Sequence, residues 1–185
     1  MTQRRIYQNI FPYFVTFNTK NNYPFFADTK KAKLLYKIVL ISSKKKFFLP
    51  YIFSILNNHI HMLVKFIPAL AAAPALFETA ATAGRSEKNK RKIKNAATTS
   101  RSKYNISDLM HAVKSYYCYQ LRNQYNIFYS PWHTRFNFRI INTPKRLRNT
   151  INYIKYNYKK HNLSKKYSKQ PYQYINEDKI NELFF

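Results

Sequence analysis

Residues 57–66 read NNHIHMLVKF. Asn57 and Asn58 predict a tight turn, because Asn tolerates the positive φ that two-residue hairpin turns need. Before them, residues 47–56 (FFLPYIFSIL) are aromatic and β-branched and predict a strand, interrupted by Pro50. After them, residues 59–66 predict the return strand. Side chains two apart on a strand share a face, so His59 and His61 stand side by side. Two adjacent imidazoles can hold one divalent ion, or grip a phosphate when protonated.

Outward from this hairpin, residues 13–19 (YFVTFNT) predict a first strand. Asp28 is a candidate N-cap for a helix over 29–45. Leu35, Ile38, Val39 and Ser42 recur there at helical spacing, and Lys44–Lys46 suit its negative end. Asn105 with Asp108 reads as a capping box, opening a helix to about 123 along Ile106, Leu109, Met110, Val113, Tyr117 and Leu121. Residues 135–141 (RFNFRII) alternate as a strand. Thr143-Pro144 is a cap with proline at the first helical position, and the helix over 144–161 aligns Leu147, Ile151, Ile154 and Tyr158. Residues 166–185 form a C-terminal tail, with a short helix or fraying near 177–185. The order β-α-β-β-α-β-α predicts an α+β fold: an antiparallel sheet with helices packed on one face, in one domain over 1–165. Residues 67–101 interrupt it. They are rich in Ala, contain the chain's only Gly and no Tyr, and read as a flexible, low-complexity surface insertion, with a basic stretch at 88–94.

The 185 residues carry 33 Lys+Arg against 7 Asp+Glu, a formal charge of +26, while 45% hydrophobic residues suffice for a packed core. The carboxylates are Asp28, Glu78, Glu87, Asp108, Glu177, Asp178 and Glu182, so none lies between 28 and 78 or between 108 and 177. That excludes chemistry built on clustered carboxylates, whether a glycosidase pair or an all-acid metal nuclease. A surplus this large needs a polyanion, and nucleic acid is the natural one. No apolar run reaches the ~18 residues of a spanning helix, so no membrane partner is expected. A lone Cys118 and no signal-peptide pattern predict a cytoplasmic protein.

Tyr153 and Asn157 lie four apart on the last long helix, just beside its apolar stripe. If that stripe packs on the sheet face bearing His59 and His61, a phenol, an amide and two imidazoles converge. An Asn carbonyl is an acceptable ligand for Mg²⁺ or Mn²⁺ where carboxylates are absent. Tyr156 falls on the far side of the helix.

These segments together resemble the single-tyrosine HUH (His–hydrophobic–His) transposases, nearest to the REP-associated tyrosine transposases. NNHIHMLVKF is similar to the family's PNHIHLL segment, and INYIKYNYKKHNL to its tyrosine helix, YIxxNPxK. ISDLMHAVKSYYCYQL and WHTRFNFRII resemble its central Lys-Ser helix and its Trp-Gln-x-Arg-Phe segment. Asn57 and Tyr158 stand where the family has proline, and Phe138 where an acidic residue is frequent. The resemblance implies cleavage and rejoining of single-stranded DNA at hairpin-forming palindromes, through a 5′-phosphotyrosine link. Tyr153 would be the nucleophile, and His59, His61 and Asn157 the ligands of one divalent ion (Mg²⁺ or Mn²⁺). The family includes homodimers that share their sites and single-chain versions. Lys114, Arg122, Arg135, Arg139, Lys155 and Lys159 are candidate DNA contacts, with Lys145, Arg146, Arg148 and Lys160 in the same acid-free stretch. Trp132 and His133 are candidates to stack on bases, Trp132 equally a core residue. Two rival classes fit the charge as well: a basic nucleic-acid-binding protein without catalysis, including a decayed relative of the same fold, and a metal-independent RNA-binding protein.

Overall fold

A computed structural model describes residues 10–67 and 105–183. The insertion, apart from Ile67, lies outside the described residues, as does the end of the tail. Five strands form one sheet: β1 (Tyr13–Asn18), β2 (Phe48–Ile55), β3 (His59–Phe66), β4 (Asn137–Ile140) and β5 (Gln173–Ile175), in the order β4-β1-β3-β2-β5. Every neighbouring pair is antiparallel. The helices are α1 (Thr29–Lys45), α2 (Ile106–Tyr125), α3 (Pro144–Lys160) and the short α4 (Glu177–Asn181).

The caps form as their chemistry dictates. Asp28 accepts from the Lys30 N–H at 2.8 Å. Asn105 and Asp108 cap reciprocally: Ser107 N–H donates to Asn105 Oδ1, and Asn105 N–H to Asp108 Oδ2, both at 2.8 Å. Thr143 caps α3 ahead of Pro144. Pro50 sits where the β2–β3 register shifts, with Pro50 opposite Val64 and Ile52 opposite Leu63. A residue without an N–H is tolerated in an inner strand at such a bulge.

The α+β antiparallel architecture stands, but the helices occupy both faces of the sheet. On one face, Tyr13, Val15, Phe17, Ile60, Met62 and Val64 bury against α1 and α2, with Trp132 between the rings of Phe17, Phe26 and Tyr117. On the other, Phe14, Ile52, Leu63 and Ile175 receive Leu147, Ile151 and Ile154 of α3 and Ile180 of α4. The reason is that β2 and β3 are buried at nearly every position and carry apolar residues on both faces, so both faces need cover. Trp132 is therefore core and not a surface for bases.

Two further expectations change. The tight turn after β2 is present, closed by the Leu56 N–H to the His59 carbonyl at 2.8 Å, yet neither Asn57 nor Asn58 has positive φ. Their carbonyls are instead held by the Phe26 and Thr19 N–H groups, each at 2.8 Å, so tertiary bonds support the turn. The tail joins the sheet: β5 pairs with the β2 edge before α4 begins. Three residues, QYI, are too short for periodicity to register, and only the open edge of β2 makes them a strand.

Ile154, fully buried, seats α3 on the sheet. Ile154→Ala is expected to cost ~2–5 kcal/mol in urea unfolding. Asn152→Ala, at an exposed position of the same helix, should stay within ~0.5 kcal/mol.

Candidate active site

The strand registers align one polar residue from every strand. Asn137 pairs with Thr16, Thr16 with His61, His61 with Ser54, and Ser54 with Gln173. This row runs across the whole sheet on the α3 face. Beside it runs a row of Arg139, Phe14, Leu63, Ile52 and Ile175, whose apolar members seat α3. His59 lies opposite Asn18, one step beyond the polar row. Helix α3 thus rests its stripe on the apolar row and hangs its polar flank over the histidines.

That flank is Tyr153, Asn157 and His161, at four-residue spacing. The Tyr153 ring meets the His61 ring edge-on at 5.2 Å and Phe14 at 5.9 Å. Two turns later His161 meets His59 at 5.0 Å, and the His59 and His61 rings are 4.7 Å apart. Asn157, one turn from each end, is buried between them. The phenol and the two imidazoles meet, and the buried Asn157 amide follows Tyr153 by one turn on the same flank of α3. His161 is a residue the sequence reading missed; its signal was the i, i+4, i+8 spacing from Tyr153. Tyr158 helps bring it there: having the backbone N–H that a proline lacks, it lets α3 run unbroken to Lys160.

Hydrogen bonding orients both imidazoles. His59 Nδ1 lies 2.6 Å from Asn58 Oδ1, an acceptor, so Nδ1 carries the proton and Nε2 a lone pair. His61 Nδ1 lies 2.8 Å from Thr16 Oγ1. His61 Nε2 and both polar atoms of the Asn157 amide are buried without a hydrogen-bond partner. Such orphans are costly unless something completes them. A divalent ion fits: imidazole nitrogen and amide oxygen are suitable ligands, and a ligating histidine commonly has its other nitrogen held by a neighbour. Among the described residues no group of three His, Cys, Asp or Glu could hold a metal ion, so the donor set depends on the amide.

Burial pushes His59 down to about 4, helped by repulsion from His161. Burial pushes His61 further, to about 3, with repulsion from His59, His161 and Lys160 added. Both rings are therefore neutral at pH 7, competent as ligands and not as cationic phosphate grips. The described carboxylates are engaged elsewhere: Asp28 and Asp108 cap helices, Glu177 and Asp178 open α4, and Glu182 pairs with Lys179.

A groove of about 1080 Å³ opens beside Tyr153 and His61, between α3 and the β1–β4 edge. Arg139 and Arg146 line it, and the Lys160 ammonium stands 5.5 Å from the Tyr153 ring centre. Of the predicted DNA contacts, Arg139 reaches this groove and Arg135 lines a neighbouring cavity. Arg122 lies on α2, across the sheet. Lys159 sits over Tyr156, on the other flank of α3, and the Lys155 carbonyl accepts from Gln173 at 2.9 Å. Lys114 is engaged within the protein. Its ammonium donates to the carbonyls of His133 and Arg135, at 2.8 and 3.3 Å, clamping that segment to α2. Phe138 packs edge-on against Tyr13 on the opposite face, so the acid that resemblance would put there would not point at the histidines.

No protein-family model matches the sequence, and no curated protein does. Among solved structures, a REP-associated tyrosine transposase bound to a REP hairpin superposes with a TM-score of 0.64 at 16% identity, covering 99% of this chain and 87% of that one. The chain therefore has the fold of a REP-associated tyrosine transposase, as its motifs imply. A Deinococcus radiodurans protein provisionally assigned as a transposase aligns more loosely, with a TM-score of 0.48 at 12% identity over 89% of this chain and 99% of that one. No helix among the described residues is long and apolar enough to cross a membrane.

The depressed histidines set a pH dependence. As pH falls below ~6.5 the unfolded chain takes up protons that the buried His59 and His61 refuse. Stability of the metal-free protein is thus full above that point and declines towards pH 4 to 3. In EDTA, the urea midpoint is expected to drop between pH 7.5 and 5, and to drop less in His61→Gln. Equal midpoints at the two pH values would contradict the burial argument.

Proposed function

We propose that this protein is a DNA strand transferase of the single-tyrosine transposase type. It cleaves and rejoins single-stranded DNA beside a hairpin, through a 5′-phosphotyrosine intermediate. The observation that carries the reading is the contact of Tyr153 with His61, next to the orphaned His61 Nε2 and Asn157 amide, in a groove lined by arginine. The hairpin enters by likeness to the transposase whose structure holds one.

His59, His61 and Asn157 would hold one Mg²⁺ or Mn²⁺, which supplies Lewis-acid polarisation of the scissile phosphate. With neutral ligands, the ion's charge stays available to the phosphate. Tyr153 Oη attacks phosphorus in line, forming an O–P bond as the bond to the 3′-oxygen breaks. The phenol gives up its proton and the departing 3′-oxygen accepts one. The Lys160 ammonium beside the ring adds positive charge next to the reacting phosphate. Arg139 and Arg146 hold the flanking phosphates and carry no sequence information. Attack by a 3′-hydroxyl on the phosphotyrosine reverses the exchange, so the bond energy is conserved and no nucleotide cofactor is consumed.

Incubation with labelled hairpin DNA bearing single-stranded flanks, with Mn²⁺ or EDTA, is expected to give a covalent adduct on a denaturing gel only with metal. Tyr153→Phe should abolish the adduct while changing DNA affinity by no more than ~3-fold, because phosphate contacts dominate binding. Tyr156→Phe should keep the adduct. His59→Ala should weaken Mn²⁺ binding, read by calorimetry without DNA, by ~10-fold or more. Binding without any adduct in the parent protein would favour the non-catalytic class.

A further inference from the structure

Within the polar row across the sheet, Thr16 bonds His61, and Gln173 bonds the Lys155 carbonyl. Ser54 stands between His61 and Gln173 in that row, yet its hydroxyl bonds nothing among the described residues. It is fully buried. A buried hydroxyl without a partner destabilises, and alanine would fill nearly the same space without that cost. Burial alone therefore does not account for a serine here.

The 153–157 turn of α3 reaches Ser54 from both sides. Tyr153 touches His61, the neighbour of Ser54 on β3. The Lys155 carbonyl accepts from Gln173, its neighbour on β5. Adjacent strands are only ~4.8 Å apart, so the turn passes over Ser54 as it crosses from one to the other. The alternation of β2 agrees. Ile52, two residues earlier, joins Ile154 in the core on the α3 side, so Ser54 points the same way. Within this turn Asn157 is the polar side chain that is buried, whereas Tyr153 opens to the groove.

Three buried side chains on this face carry polar atoms without partners among the described residues: His61 at Nε2, Ser54 at Oγ and Asn157 at both ends of its amide. The other two such atoms, Ser43 Oγ and Trp132 Nε1, lie across the sheet on the α1 and α2 side. A divalent ion takes lone pairs, here those of Nε2 and Oδ1. It cannot take the protons of Nδ2, because an amide nitrogen only donates. Ligation through Oδ1 thus leaves Nδ2 in need of an acceptor, and the Ser54 hydroxyl is the orphaned acceptor on this face. We propose that Ser54 is a positioning residue for the candidate metal site: its Oγ accepts from Asn157 Nδ2 and so keeps Oδ1 turned towards the ion. The inference rests on the metal-dependent reading above and adds to it a residue of β2, a strand that supplies no ligand.

The test is a double-mutant cycle on Mn²⁺ affinity, read by calorimetry on the full-length protein without DNA. Ser54→Ala is expected to weaken binding by ~10-fold. In Asn157→Asp both side-chain oxygens accept, so no donor needs a partner and either oxygen can face the ion. In that background Ser54→Ala should change affinity by no more than ~2-fold. A role in packing alone would give the same loss in both backgrounds, which would overturn the proposal, as would an unchanged affinity in Ser54→Ala. Thermal melts in EDTA check that the variants fold. A second measurement needs no substitution at Ser54: NMR of the Mg²⁺-loaded protein should show a nuclear Overhauser contact between the Asn157 Nδ2 protons and the Ser54 β-protons, and its absence would equally count against the role. Failure of the metal reading looks different. A parent that binds no Mn²⁺ would sink the ion site and the role of Ser54 with it, whereas a parent that binds Mn²⁺ without this coupling would sink the role of Ser54 alone.

Discussion

The register between β1 and β3 is the constraint on which the site depends. Thr16 opposite His61, and Asn18 opposite His59, put both imidazoles on the α3 face and give each a polar neighbour. A slip of one residue would turn both histidines into the core beneath α1 and α2 and bring Ile60 and Met62 out. The slip is prevented by burial: Val15, Phe17, Ile60, Met62 and Val64 are fully covered on the far face, and each would lose its packing. The candidate site is thus held in place by residues that lie outside it.

Helix α3 then serves two rows of the sheet at once. Its stripe, Leu147, Ile151 and Ile154, sits on the apolar row, and that contact fixes the rotation of the helix. The rotation leaves Tyr153 37% exposed, open to the groove yet against His61, while Asn157 is 1% exposed. A nucleophile must be reachable, and an amide that completes an ion's ligands must be shielded, so these two exposures suit the roles proposed for Tyr153 and Asn157. The same rotation turns Tyr156 outward, away from the histidines, with Lys159 over its ring.

Electrostatics follow from the same arrangement. None of the five described carboxylates, Asp28, Asp108, Glu177, Asp178 and Glu182, is ion-paired with the histidines, so among the described residues the site is positive by default. Burial answers that positive field by keeping His59 and His61 neutral, leaving Arg139, Arg146 and Lys160 as the charges that face the groove. Asparagine has a second use in this chain. With one glycine in 185 residues, Asn21, Asn22, Asn126 and Asn162 occupy left-handed positions that glycine would otherwise take, which is the one conformational liberty Asn shares with it.

Local patterns made much of this legible. Asp28, Asn105 with Asp108, and Thr143-Pro144 mark helix starts because capping is settled within four residues. The alternation around His59 and His61 marks a strand because side-chain direction is a local property of extended backbone. The spacing of Tyr153 and Asn157 was equally local, and the motifs they form pointed to the same fold that superposition finds. What sequence alone could not decide was everything that depends on which surfaces meet. Whether α3 lies on the same face as α1, whether QYI becomes a strand, and whether Lys114 holds a carbonyl or a phosphate are decided by partners far along the chain. The second pair of the site, His161 with His59, is of this kind: helical spacing put His161 on the right flank, but only the docking of α3 across β3 brought the two rings together. Local sequence fixes direction along an element, and tertiary packing alone fixes what that direction faces.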